Sequence, residues 1–458
     1  MKDDLSVNNS ALKIKLSFPV YDDYIQKILL LYMNKKYYLQ ALLLMLFCAP
    51  LQSWAKKTKM LYRDHVYEDR IKGVKIFPKT NDPIGMMIAP VIPIGSGIQL
   101  VLEFDDINED YEEYRAKIIH CNYDWKPSNL VNMDYLDQYN EFNVTEYEFS
   151  ENTRVEYVKY QFPIPRLKET GNYLVAVYRD ADPEDLIITS RFVVYRNVAA
   201  INSEVRRSDL VMNRDINQQI NFGINYGSYT VSNAFTDIKV VLRQNQRWDN
   251  AIFNLEPTNV RNDLGQIEYN FFNGENNFIA GNEFRYTDLR SVSYTGRNVA
   301  RIRRETDMNY AMLNVDQNRM GQPYVSFEDQ NGQFFLENVG LEQGLSGADY
   351  VQATFRLEAE NIASGDIYLI GAFSNWELQP KLKMKKNPNS GLYECTTLLK
   401  QGFYNYQYVI LGGGLQWWEL EGSFWDTEND YDIIVYYRGP TDRADQVIGY
   451  KTFNSLQQ

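Results

Sequence analysis

Along most of its length the chain runs in short stretches of aliphatic and aromatic residues that are stopped by Asp, Asn, Gly and Pro. Residues 98–104, 114–120 and 172–178 are such stretches, and none of them keeps a helical period for three turns. Successive side chains on a strand point to opposite faces, so this grammar predicts antiparallel strands of β-sandwiches. The segments 108–110, 126–128, 163–165 and 170–172 read as turns, each supplying a fixed φ or a side chain able to bond its own backbone.

The same pattern suggests where the chain divides. Residues 192–195 read as a closing strand, and a new set follows the charged stretch Arg206, Arg207, Ser208, Asp209. Residues 219–225, 237–243 and 266–272 alternate polar with apolar, as strands with one buried face do. A Gly-bearing stretch at 340–347 reads as a linker to a third set. The expected fold is all-β, with tandem immunoglobulin-like sandwiches over residues 56–197, 198–345 and 346–458. A length of 458 residues agrees, at roughly 150 residues per domain.

In front of these sets stands an address. From Met33 the chain carries Lys35 and Lys36, an apolar core from Leu39 to Leu51, and then Ser53, Trp54 and Ala55. This is the order of a secretory signal peptide cut after Ala55, and the core is short of the roughly 20 residues a bilayer-spanning helix needs. Phe47 before Cys48 is too bulky for lipoprotein processing. Residues 1–32 would bury such a signal, so they read as an extension from a mis-assigned start. The expectation is an exported, periplasmic protein.

Composition narrows the function. Tyr (35) and Phe (23) bring the aromatics to 14%, a β-rich composition with polar ring tips available for interfaces. A net charge of −13 argues against nucleic acid and against adhesion to anionic lipid. Beyond the signal, Cys121 and Cys395 fall in different expected domains, so no disulfide framework is expected.

The chemistry-bearing residues are few. His65 and His120 are the two histidines. His120 precedes Cys121, but neighbours on a strand diverge, so a Cys–His nucleophile is not expected there. His65, in a polar run, reads as solvated. The acidic stretch 105–110 lacks the glycine and distal glutamate of a calcium loop, and Gly95 to Gly97 lacks the third glycine of a dinucleotide site. No metal, cofactor or catalytic residue is expected. Arg301, Arg303 and Arg304 form the one basic cluster, which reads either as a docking patch for an acidic partner or as a solvated strand face.

The last third carries a sharper motif. Residues 365–376, with Phe373 three before Trp376, then 391–394, 402–409, and Trp417 with Trp418, resemble the early-set sandwiches that include glycogen-binding modules. That resemblance places Trp376 and Trp417 where tryptophans stack on sugar rings. The chain departs from the pattern at 411–416, where an Asp-Gly turn is usual. The other reading of Trp376, Trp417 and Trp418 is as core or interface anchors.

Over most of the mature chain a second resemblance appears. Residues 100–106, the run Ile119-His-Cys-Asn-Tyr-Asp-Trp-Lys-Pro-Ser128, and residues 157–160, 171–178 and 191–194 resemble the first domain of the type IX secretion plug family. Residues 282–290, 427–431 and 435–438 are similar to later parts of that family. The resemblance implies a non-catalytic periplasmic protein that binds and occludes the periplasmic opening of the outer-membrane translocon pore, held at the membrane through protein contacts. The alternative is a periplasmic glycan-binding protein acting through the C-terminal tryptophans.

Overall fold

A computed structural model describes residues 59–456, except 228, 341–343, 360, 361 and 363. The signal expected at 33–55 and the extension at 1–32 lie outside the described residues. Among the described residues no helix is long and apolar enough to cross a membrane.

The first sandwich comprises ten strands: β1 (His65–Val66), β2 (Ile71–Pro78), β3 (Val91–Pro93), β4 (Leu100–Asp106), β5 (Tyr114–Cys121), β6 (Phe142–Asn143), β7 (Glu146–Phe149), β8 (Val158–Pro163), β9 (Gly171–Arg179) and β10 (Leu186–Tyr195). One sheet runs β1-β10-β9-β5-β6, with β3 parallel to β10, and the other runs β2-β4-β8-β7. Their inner faces meet in a core that includes Leu102, Phe104, Ile118, Tyr160, Val175 and Phe192. The stretch 170–172, expected as a turn, instead opens β9, because Gly171 and Asn172 pair with Val194 and Val193.

The second sandwich begins with β11 (Ala200–Arg207), β12 (Asn217–Asn225), β13 (Ile238–Gln244), β14 (Asn259–Arg261), β15 (Gln266–Tyr269) and β16 (Asn277–Ile279). It is left unfinished there. The chain goes on to build the third sandwich from β17 (Arg285–Asp288), β18 (Val299–Arg304), β19 (Asn309–Gln317), β20 (Phe334–Leu336), β21 (Tyr350–Glu358), β22 (Asp366–Ile370), β23 (Lys385–Lys386), β24 (Tyr393–Lys400) and β25 (Gly402–Leu411). One of its sheets is β18-β19-β21-β24-β23, and in the other β25 pairs with β17, β20 and β22. Then β26 (Asp430–Tyr437) and β27 (Gln446–Asn454) return, β26 pairing with β13 from Ile238↔Tyr437 to Gln244↔Tyr431. The all-β sandwich architecture legible in the sequence is what the chain adopts.

The sheets nevertheless divide the chain differently from the expected 198–345 and 346–458. The third sandwich is an insertion between β16 and β26, and the last two strands belong to the second. The stretch 340–347 is not a linker between the two: Leu345 and Ser346 offer their carbonyls to Tyr157 Oη and Glu151 N of the first sandwich.

Burial explains the run Asp-Ile-Ile-Val-Tyr-Tyr in β26. The sheet β13-β26-β27 has one face on the second core, with Ile433 and Val435, and the other on the first sandwich. There Val241, Ile434, Tyr436 and Val447 pack on Cys121, Trp125, Leu174 and Val193. A strand covered on both faces reads as a continuous apolar run rather than an alternating one. This also corrects the one-face reading of β13, whose second face is covered by the first sandwich.

Candidate functional site

Three seams hold the sandwiches together, and they gather most of the unusual side chains. At the seam of first and second, the chain leaves β5 through a tight turn in which Trp125 takes a left-handed φ of 63°. That turn points Trp125 edge-on at Trp248 of the second sandwich, ring centroids 4.8 Å apart. Arg191 lies 5.1 Å from both rings and bonds Asp64 at 2.8 Å. On the second sandwich Arg243 sits 4.3 Å from the Trp248 ring, buried, and grips Asp432 with two bonds of 2.8 and 2.9 Å. Around this stack Tyr123 N donates to Asp445 at 2.9 Å, and Tyr436 Oη donates to Asn172 at 2.8 Å.

The seam of first and third is built on Asp105. Lys400 and Tyr350 of the third sandwich each donate to its Oδ2 at 2.7 Å, with Lys400 and Asp105 almost wholly buried. Lys400 also lies 4.0 Å from the Tyr157 ring, and Tyr157 Oη donates to Ala348 O at 2.8 Å. Nearby Lys75 donates to Phe334 O at 2.8 Å and sits 4.3 Å over its ring, where burial pulls the ammonium down to about 7. Asp106, beside Asp105, turns inward to Tyr114 and Arg70. Asp105 and Asp106 of the acidic stretch are thus buried ion-pair partners.

At the seam of second and third, the entry and exit of the insertion are tied. Gly281 N donates to Ser423 Oγ at 2.9 Å, Thr427 Oγ1 donates to Gly281 O at 2.8 Å, and Asn429 bonds Gln218 at 3.0 Å and Ala280 O at 2.9 Å. Just inside, Arg285 bonds Glu421 at 3.0 Å, and Asp316 lies 3.3 Å from it while accepting from Tyr406 and Tyr408.

Between first and third sandwiches a cleft of about 720 Å³ opens, with Arg63, His65, Lys72, Glu377 and Lys381 on its walls. His65, expected to be solvated, is half-buried, its Nδ1 3.1 Å from Glu377 of the third sandwich. A neighbouring cleft of about 420 Å³ contains Arg191, Arg243, Arg247, Trp248 and Trp376.

The structure does not bring the three C-terminal tryptophans together. Trp376 faces Arg247, whose guanidinium is 3.9 Å from the ring centroid, and meets Phe284 edge-on at 5.7 Å. A side chain at Gly332 would strike its ring at 2.5 Å. Trp417 and Trp418 line a separate crevice of about 20 Å³ that shares Arg247 but not Trp376. Arg301, Arg303 and Arg304 stand exposed on β18, the edge of its sheet.

His120 and Cys121 diverge as strand neighbours must. The imidazole lies in the first core against Tyr173, donating from Nε2 to Thr170 O at 3.1 Å, and burial pulls it down to about 4. Cys121 faces the second sandwich, where burial pushes the thiol up to about 12, far from the thiolate a nucleophile needs. Among the described residues no group of three His, Cys, Asp or Glu is arranged to hold a metal ion.

The partners at the seams were not legible as pairs. Arg243 and Asp432 stand beside the apolar runs of β13 and β26 with opposite charge, but they are 189 residues apart and nothing local pairs them.

Fold and seams together define an all-β protein whose distinctive polar residues join domains. A model of the type 9 secretion system plug protein first domain matches residues 71–196, from the start of β2 to just past β10. A crystal structure of a hypothetical protein from Parabacteroides merdae ATCC 43184 is 31% identical, with a TM-score of 0.79, over 86% of this chain and 100% of that one. Salmonella alpha-2-macroglobulin reacted with methylamine aligns over 86% of this chain and 23% of that one, at 10% identity and a TM-score of 0.16, too poor a fit to bear on the fold. No curated protein matches. The chain belongs to the type IX secretion system plug family, a non-enzymatic, secretion-associated family of the cell envelope. Its role is therefore in type IX secretion.

Proposed function

We propose that the protein sits in the periplasm, peripheral to the outer membrane, and occludes the periplasmic opening of the type IX translocon pore. The observation that carries this reading is where the family's segments lie. Asp105, Trp125, Tyr157, Asn172, Arg191, Asn429 and Tyr436 all come from segments that resemble the plug family, and all are seam residues. In this chain the segments that resemble the family thus join three sandwiches into one block and hold no reactive centre. A block suits a stopper: a pore wide enough for folded cargo leaks unless what fills it resists deformation. Reversible docking would rest on an interface of modest apolar content with a charged rim that sets the on-rate.

The test is affinity purification of the tagged protein from detergent-solubilised envelope. A very large outer-membrane barrel should be recovered with it; recovery of soluble proteins alone overturns the reading.

A further inference from the structure

The family and its seams leave β18 unexplained. This strand, Val-Ala-Arg-Ile-Arg-Arg, forms the edge of a five-stranded sheet and pairs on one side with β19. On its other side no strand pairs with it among the described residues. A free edge offers a row of backbone N–H and C=O groups to any extended segment.

The side chains decide what kind of segment. Arg301 stands opposite Met312 and Arg303 opposite Tyr310, on the outer face of the sheet, while Ile302 stands opposite the buried Ala311 and packs on the core. Arg303 is in ion contact with Glu305 at 2.8 Å and sits 4.7 Å over Tyr310. Arg301 and Arg304 make no ion pair among the described residues. At the end of the strand Arg154, from the first sandwich, donates to Glu305 O and lies 4.0 Å from Asp349, so the free positive charge of this edge is that of the β18 arginines. This is a cationic edge on a protein whose net charge is −13.

Charged edge strands discourage self-pairing, and this one does so by sign: a second β18 would set arginine against arginine. The same charges favour an acidic strand. We propose that the β18 edge takes an extended acidic segment of another protein, added to the sheet as a further strand. Register then sets the segment's pattern. Residues facing Arg301 and Arg303 are Asp or Glu, and the residue between them, beside Ile302, is apolar. Backbone pairing would supply affinity and the alternating side chains selectivity. This inference does not depend on the pore reading.

The test uses the whole protein and two capped seven-residue peptides of equal charge, one alternating Glu and Val, the other with its four Glu in a block. The alternating peptide should bind and slow hydrogen exchange at the amides of 299–304, with the block peptide at least about tenfold weaker. Arg301→Glu with Arg303→Glu should abolish both effects while leaving the exchange of β9 unchanged. Three results overturn the proposal: no binding; equal binding of both peptides without protection of β18, which would mean charge attraction to a solvated face; or self-association of the protein through β18 by sedimentation.

Discussion

Lys400 of the third sandwich donates to Asp105 of the first at 2.7 Å, across a seam in which both side chains are almost wholly buried. Removing one member of a buried pair leaves the other charged and unpaired, typically at a cost of about 3–5 kcal/mol, whereas replacing both with apolar groups is far milder. Lys400→Met should therefore destabilise the protein by about that amount in chemical denaturation, and Asp105→Leu added to it should recover a large part. A double variant no more stable than the single one would show that the pair does not act as a unit.

Lys75 gives a pH dependence. Burial against Phe334 holds its folded-state pKa at about 7, below the 10.5 it starts from. Between those values the unfolded chain holds a proton that the folded protein lacks, so stability rises with pH through that window, by at most about 1.4 kcal/mol per unit. Below pH 7 both states are protonated and the contribution is flat. Urea unfolding at pH 7, 8 and 9 should show the wild type gaining on Lys75→Met; parallel curves would contradict it.

Gly171 lies against the His120 ring, where an added Cβ would come within 2.2 Å of Nε2. Gly171→Ala should destabilise the protein by roughly 1–3 kcal/mol, since overpacking displaces the ring and its bond to Thr170. Adding His120→Ala to that variant should relieve the clash and make the two changes non-additive by thermal unfolding.

Trp376 tests the glycan alternative. With its face on Arg247, titration with malto-oligosaccharides should give no heat, and Trp376→Ala should lower stability by about 2–3 kcal/mol through lost packing. Binding heat that the same substitution removes would restore the sugar reading.

Period-two alternation made the strands readable, and the His120–Cys121 divergence followed from it, because both depend on neighbours in sequence. What was hidden depends on distance along the chain. The apolar run of β26 is visible, but nothing local says that it pairs with β13. The charges at 105, 243, 400 and 432 looked like ordinary surface residues or strand ends until folding brought their partners. Trp125 was legible as part of the most distinctive motif, though not as a ring aimed at Trp248. The boundary near 345 failed for the same reason: glycines mark a bend, not which sandwich the next strand joins.

The nesting of the third sandwich within the second also fixes an order of assembly. As the chain is made, the first sandwich has all its strands once residue 195 has arrived, whereas β13 waits for β26, nearly two hundred residues later. Until then the backbone edge that β13 will give to β26 has no strand to pair with. The second sandwich can therefore close only when the last thirty residues have arrived, although the first and third have all their strands before then. A stop codon that removes β26 and β27 is not a trimming of the tail; it leaves the second sandwich open and takes from the first the surface on which Trp125 and Cys121 rest.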